Sequence, residues 1–210
     1  VLRHHALDGA WQRPKAVVGR QDDRAARRHR SPAQIALILA LLKTDTQIIA
    51  SFAEAPTVLL GSIAVHLSRD KTLQDQLRAD PSQIPAAVEE FLRLYTPYRG
   101  FARTAVTDVE FGGRTIPAGE GIALVYASAN RDEAVFEHPC EFIMNRANIA
   151  EHMAFGRGPH NCPGIHLGRM EMQVMVEELL AATQGFELAG EIAPARWPEI
   201  GAISVPLRFT

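Results

Sequence analysis

The stretch Phe155-Gly156-Arg157-Gly158-Pro159-His160-Asn161-Cys162-Pro163-Gly164 decides how this chain is read. Gly156 and Gly158 permit backbone angles that other residues avoid, and they let a flat ligand approach the main chain. Cys162 stands just before a helical pattern whose first amides favour an anion, here a thiolate. Pro163 removes one backbone donor and stiffens the turn. His160, two residues earlier, is placed to reach a nearby anionic group. The segment reads as a thiolate offered from a tight loop to something large and flat.

Competing chemistries fit less well. A phosphate loop needs G-x-x-x-x-G-K-[ST], and no lysine follows the glycines. A dinucleotide fingerprint needs a third glycine where Asn161 stands. A cysteine nucleophile needs a histidine base placed in space, for which His160 is the available residue. A buried structural cysteine is the default for any lone Cys, but it does not call for this loop.

Outward from the loop, the chain alternates between helical and extended patterns. A helix is expected from about Gly164 to Ala182, carrying Ile165, Leu167, Met170, Val174, Val176 and Leu180. A loop-rich stretch spans 130–163. Before it, Val109-Glu110-Phe111 and Arg114-Thr115-Ile116 flank Gly112-Gly113, the signal of a two-residue hairpin. Pro117-Ala118-Gly119 makes a further turn before the apolar run Ile122 to Tyr126. Helices are expected at about 70–79 and 83–95. A long helix from about Thr46 to Ser68 is apolar almost all round, as in a helix buried through a domain centre. Pro56 inside it is expected to kink it or free a carbonyl. Ser31-Pro32 reads as a helix start, with a short apolar helix at Ile35 to Leu42. Residues 203–209 alternate like one terminal strand.

Composition bounds the function. The chain has 210 residues, 47% apolar and 22% charged, which is enough apolar surface for a sizeable core. The formal charge of −2 gives no net basicity for nucleic acid. Residues 1–45 form a poorly defined basic segment, with Arg20, Arg24, Arg27, Arg28 and Arg30 among Asp22 and Asp23. They read as a solvated linker or a helix lacking its partner, since a nucleic-acid arm needs stacking aromatics too. No apolar run approaches the roughly 20 residues of a membrane span. Cys140 and Cys162 are too few for a disulfide framework or a four-thiolate zinc site. With no signal peptide read at Val1, a cytoplasmic location is expected.

The loop resembles the haem-binding loop of the cytochrome P450 superfamily, F-x-x-G-x-[HR]-x-C-x-G, at Phe155, Gly158, His160, Cys162 and Gly164. The resemblance implies a mainly α fold with a smaller β part, the C-terminal portion of the P450 fold, over residues 46–210. It implies haem b, iron protoporphyrin IX, with Cys162 as its thiolate metal ligand. Thiolate ligation pushes electron density toward iron and favours O–O cleavage.

Further positions match at the expected places. Glu90-Phe91-Leu92-Arg93 resembles the family's E-x-x-R, whose acid and base share one helix face. The family ties that structural pair to a later arginine, for which Arg146 is the candidate. Arg103 corresponds to an arginine that pairs one haem propionate through bidentate hydrogen bonds. His160 would serve the other.

The implied activity is that of a haem-thiolate monooxygenase of the bacterial soluble type. It would insert one oxygen atom from dioxygen into a small apolar substrate. Ferredoxin and ferredoxin reductase would supply electrons. Arg157 and Arg169 near Cys162 would receive the acidic ferredoxin by charge complementarity. Substrate contacts are expected from Thr96 to Phe101 and from Gly201 to Ser204.

The long helix departs from the pattern. The family's A-G-x-[DE]-T lands on Ser51-Phe52-Ala53-Glu54-Ala55. Glu54 keeps the catalytic acid. Ala55 stands where threonine is usual, Phe52 where glycine is usual, and Pro56 follows. The chain is also shorter than the family's domain, so the resemblance covers its C-terminal half only. A truncated, non-catalytic relic or helper protein is the alternative, because half a domain exposes apolar surface. Peroxide-driven oxygenation is a third reading.

Overall fold

The computed structural model describes residues 47–196 and 198–210, with side chains from Glu54 onward. The chain divides into units Val1–Asp45 and Thr46–Thr210, and every described residue lies in the second. The expected helix at 35–42 and the basic segment 1–45 fall outside the described residues, as does the side chain of Phe52.

Three helices open the fold: α1 (Gln47–Arg69), α2 (Lys71–Ala79) and α3 (Ile84–Leu94). Asp70 caps α2, its Oδ1 accepting from the Leu73 amide at 2.9 Å. Asp80 caps the single turn Pro81–Gln83 that leads into α3. Helix α1 runs on through Pro56, so the missing amide costs a hydrogen bond without ending the helix. Strands β1 (Phe101–Thr104), β2 (Val109–Phe111), β3 (Arg114–Ile116) and β4 (Gly121–Leu124) follow, then the one-turn α4 (Tyr126–Ala129). After the loop-rich stretch comes α5 (Ile165–Ala181) and four short strands. These are β5 (Phe186–Leu188), β6 (Ala193–Pro194), β7 (Ala202–Ser204) and β8 (Leu207–Phe209).

The strands form four antiparallel pairs: β1 with β4, β2 with β3, β5 with β8, and β6 with β7. In the β2–β3 hairpin Phe111 faces Arg114, and Gly112 and Gly113 take φ of 55° and 76°. Two successive positive φ values match the right-handed strand twist, and glycine adopts them without steric cost. Two expectations change. Tyr126 begins a helical turn rather than ending a strand. The tail is two strands, not one. Pro206 has no amide to continue a ladder, and the pieces on either side pair with different partners, β7 with β6 and β8 with β5.

The core sits where α1, α2, α3 and α5 meet. Leu59, Ile63 and Leu67 of α1 repeat every fourth residue, as do Met172, Val176 and Leu180 of α5, and all six are buried. Four-residue spacing puts each trio on one helix face. Leu77, Ile84, Val88, Phe91 and Phe186 fill the space between them. The α1 backbone approaches β7 so closely that a Cβ at Gly61 would lie 2.1 Å from the Ala202 carbonyl oxygen.

A charged group is buried beside this core. Glu90 and Arg93 are 1% and 0% exposed, so each charge needs a partner. The Arg93 Nε and Nη2 donate to the two Glu90 oxygens at 2.9 and 2.8 Å. Arg146 Nε donates to Glu90 Oε1 at 2.8 Å, and the Ile143 amide does so at 3.0 Å. The remaining guanidinium N–H groups donate to loop carbonyls: Arg93 to Asn130, Pro139 and Glu141, Arg146 to Glu137, His138 and Glu141. A segment without helix or strand thus has its carbonyls satisfied by two arginines. Burial alone would raise the Glu90 carboxyl. Hydrogen bonds from Arg93 and Arg146 outweigh it and hold the group below the ordinary glutamate value.

Candidate active site

The cysteine loop is built from its own backbone. The Gly156 amide donates to the Met153 carbonyl at 2.9 Å, and the Asn161 amide to Gly158 at 3.0 Å. The Cys162 amide donates to the Phe155 carbonyl at 2.9 Å, closing the loop at its base. Gly156 and Gly158 adopt φ of 68° and 74°, which a side chain would oppose. Helix α5 starts at Ile165, three residues after Cys162, and the Ile165 amide donates to the Cys162 carbonyl at 3.3 Å.

One cavity of about 390 Å³ lies against this loop. Its lining is mostly apolar and comes from α1, α3 at Leu92, the segment after α3, β1, α4, and the loop with α5. Arg103, Phe155, His160, Cys162 and Gly164 all line it. Gly158 does not; it shapes the loop from outside. Ala55 and Pro56 of α1 line it, whereas exposed Glu54 does not. Of the expected substrate segments, Pro97, Tyr98 and Phe101 line it. Gly201 and Ala202 border a different cleft, beside His66.

Sequence reasoning missed Tyr126 and Glu171, and placed Tyr98 only as part of the segment Thr96 to Phe101. Burial first, then the charges of Glu199, Glu54 and Cys162, push the Tyr98 hydroxyl up. Glu171 shares a face of α5 with Gly164, Leu167 and Gly168, all cavity-lining, and burial raises its carboxyl. The helical spacing from Gly164 was the signal that finds it.

Behind the loop, the Glu89 carboxylate accepts from Arg169 Nε at 2.6 Å and Nη2 at 2.9 Å. It also bonds His152 Nε2 at 3.1 Å. Burial would raise Glu89, but the His152 and Arg169 hydrogen bonds hold it down at about 2. The Arg169 guanidinium lies 5.0 Å from the Phe155 ring centre. Arg157 pairs with Glu151 at 3.0 Å. Both arginines expected to meet a ferredoxin therefore already hold a carboxylate.

The residues fit haem. Among the described residues no cluster of three or more His, Cys, Asp or Glu side chains is placed to hold a bare ion. Cys162 offers a single sulfur donor, which suits an iron that brings its own nitrogen ligands. Arg103 donates only to the neighbouring Ala102 carbonyl and has no carboxylate partner among the described residues. With His160 it gives the apolar cavity two basic side chains for two propionates.

A family profile described as Cytochrome P450 matches residues 61–189, more than half of the chain. The chain belongs to the cytochrome P450 family. Cytochrome P450-terp of a Pseudomonas species is 40% identical over 151 residues, covering 71% of this chain and 35% of that protein. A steroid C26-monooxygenase of Mycobacterium tuberculosis is 38% identical over 149 residues, covering 69% of this chain and 40% of that protein. The crystal structure of CYP108D1 from Novosphingobium aromaticivorans superposes with a TM-score of 0.71 at 40% identity, covering 78% of this chain and 40% of that one. The chain thus spans well under half the length of these P450 relatives, and across that span the fold is theirs. Among the described residues no helix is long and apolar enough to cross a membrane.

Proposed function

We propose that the chain holds haem b on Cys162 and serves a monooxygenase that places one atom of dioxygen in a small apolar substrate, the other leaving as water. One observation carries this reading: an apolar cavity brings Arg103, from a distant strand, together with His160 and Cys162 of the loop. Haem, when bound, supplies the oxygen chemistry, and the thiolate's electron donation favours O–O cleavage.

The chain's own residues do the rest. Cys162, at the entry to α5, would offer its sulfur to the iron. Arg103 and His160 hold the propionates and fix orientation. Pro97, Tyr98 and Phe101 give an apolar wall that excludes water and accepts an apolar substrate. Glu54 supplies the acid that passes protons from solvent. Ala55 has no hydroxyl to hand them on, so an ordered water or a substrate hydroxyl takes that place.

Electrons come from a ferredoxin and its reductase. Arg157 and Arg169 would meet the ferredoxin with their charge partly offset by Glu151 and Glu89. The named monooxygenases among the relatives support this reading, and their greater length leaves room for the rest of the substrate roof.

The test is optical. Haem is added to the 210-residue chain, the sample is reduced with dithionite, and carbon monoxide is admitted. A red-shifted Soret band, lost in Cys162→Ala, is the expected result. Absence of both the band and bound haem overturns the proposal for this chain and favours a non-catalytic role.

A further inference from the structure

The group behind the cysteine loop is not used by the oxygen chemistry, yet it touches both flanks of the loop. Glu89 projects from α3 and accepts N–H groups from two directions. On one side is Arg169, seven residues after Cys162, in a two-bond fork. On the other is His152, three residues before Phe155. His152 is 6% exposed, and its Nδ1 accepts from the Ala154 amide at 3.2 Å. With Nδ1 accepting from Ala154, Nε2 is the ring nitrogen that donates to Glu89.

Both partners of Glu89 then bear on Phe155. The Arg169 guanidinium faces its ring at 5.0 Å, and the His152 ring lies 6.2 Å from it. Phe155 is the residue whose carbonyl receives the Cys162 amide. A cation over an aromatic face is held in place by the carboxylate behind it.

We infer that Glu89 is a positioning residue for the cysteine loop: it clamps Arg169 and His152 on either side of Phe155 and so fixes the backbone bond that presents Cys162. Arg169 is thereby a strut of the loop. The inference deepens the haem-thiolate reading and rests on it for its purpose, while the clamp's own bonds run only between side chains of the chain.

The test is amide hydrogen exchange at Cys162 in the haem-free chain under native conditions. That amide reports directly on its bond to the Phe155 carbonyl. Glu89→Gln keeps the shape and removes the charge. It is expected to speed Cys162 exchange about tenfold or more, the scale of one charge-assisted hydrogen bond. Arg169→Lys keeps the charge but loses the planar fork, and is expected to speed it as well. If Glu89→Gln does not fold, Arg169→Lys carries the test. Leu73→Ala, in the core but outside the clamp, is the control and is expected to lower thermal stability while leaving Cys162 exchange unchanged. Unchanged exchange in the clamp variants, or acceleration equal to that in Leu73→Ala, overturns the inference.

In haem-loaded protein, Glu89→Gln is expected to hasten loss of the red-shifted carbon monoxide band. A chain that fails to bind haem sinks the functional reading and leaves the exchange result standing.

Discussion

Arg146 donates to Glu90 at 2.8 Å across 56 residues of sequence, in a site that water does not reach. Glu90 is the only carboxylate that the buried guanidinium of Arg93 meets among the described residues. Replacing Glu90 by Ala would leave two arginines facing each other without an anion. The expected loss is about 3–5 kcal/mol, the cost of breaking a buried ion pair from one side. Urea unfolding followed by circular dichroism measures it, and a loss below about 1 kcal/mol contradicts the structure.

Glu89 gives a pH prediction. Its carboxyl falls from 4.5 to about 2 on folding, so folding favours the charged form. Its contribution is complete above about pH 4.5 and is lost as pH falls toward 2. With the side chain 21% exposed, the shift is worth on the order of 3 kcal/mol. Glu89→Gln is expected to flatten part of the stability curve between those values. Glu90 keeps the remainder, because its carboxyl is lowered too.

Gly61 tests how tightly α1 lies on β7. An alanine Cβ there would sit 2.1 Å from the Ala202 carbonyl oxygen, so the helix must shift. Gly61→Ala is expected to destabilise by about 1–3 kcal/mol or more. The control is Gly121→Ala, where a Cβ meets nothing within 4 Å. Its melting temperature is expected to stay close to that of the parent.

Arg103 separates ligand binding from folding. It is exposed and donates only to its neighbour's carbonyl. Arg103→Ala is expected to change stability by less than about 0.5 kcal/mol. Haem loss to apomyoglobin should speed by about tenfold, the worth of one charge-assisted bond. Unchanged haem retention removes Arg103 from the propionate site.

Much of the fold was legible because its long helices carry long patterns. The all-round apolar run of α1 marks a central helix, and Leu59, Ile63 and Leu67 are indeed buried. The glycine pair at 112–113 marks its hairpin because two positive φ values admit few other residues. Strands β5 and β6 were illegible: with three and two residues they are too short to show alternation, and no glycine pair marks a turn beside them as at β2 and β3. The break at Pro206 was visible as a residue but not as a change of partner, which depends on chain far away. In the site, the contiguous loop could be read directly. Tyr126 and Glu171 arrive from separate elements, and Glu89 is hidden beside Glu90, whose role the motif already explained.

The Gln74 side chain of α2 donates to the Phe186 carbonyl, 112 residues further along. Helices α1 to α3 and their partner α5 are therefore made at different times. At a synthesis rate of about 5–20 residues per second, Gln74 is made roughly 6–22 s before Phe186. Through that interval Leu59, Ile63, Leu77 and Phe91 have no finished surface to close on. Until α5 and β5 are made, the apolar faces of α1 and α3 are surface that a holdase chaperone would cover.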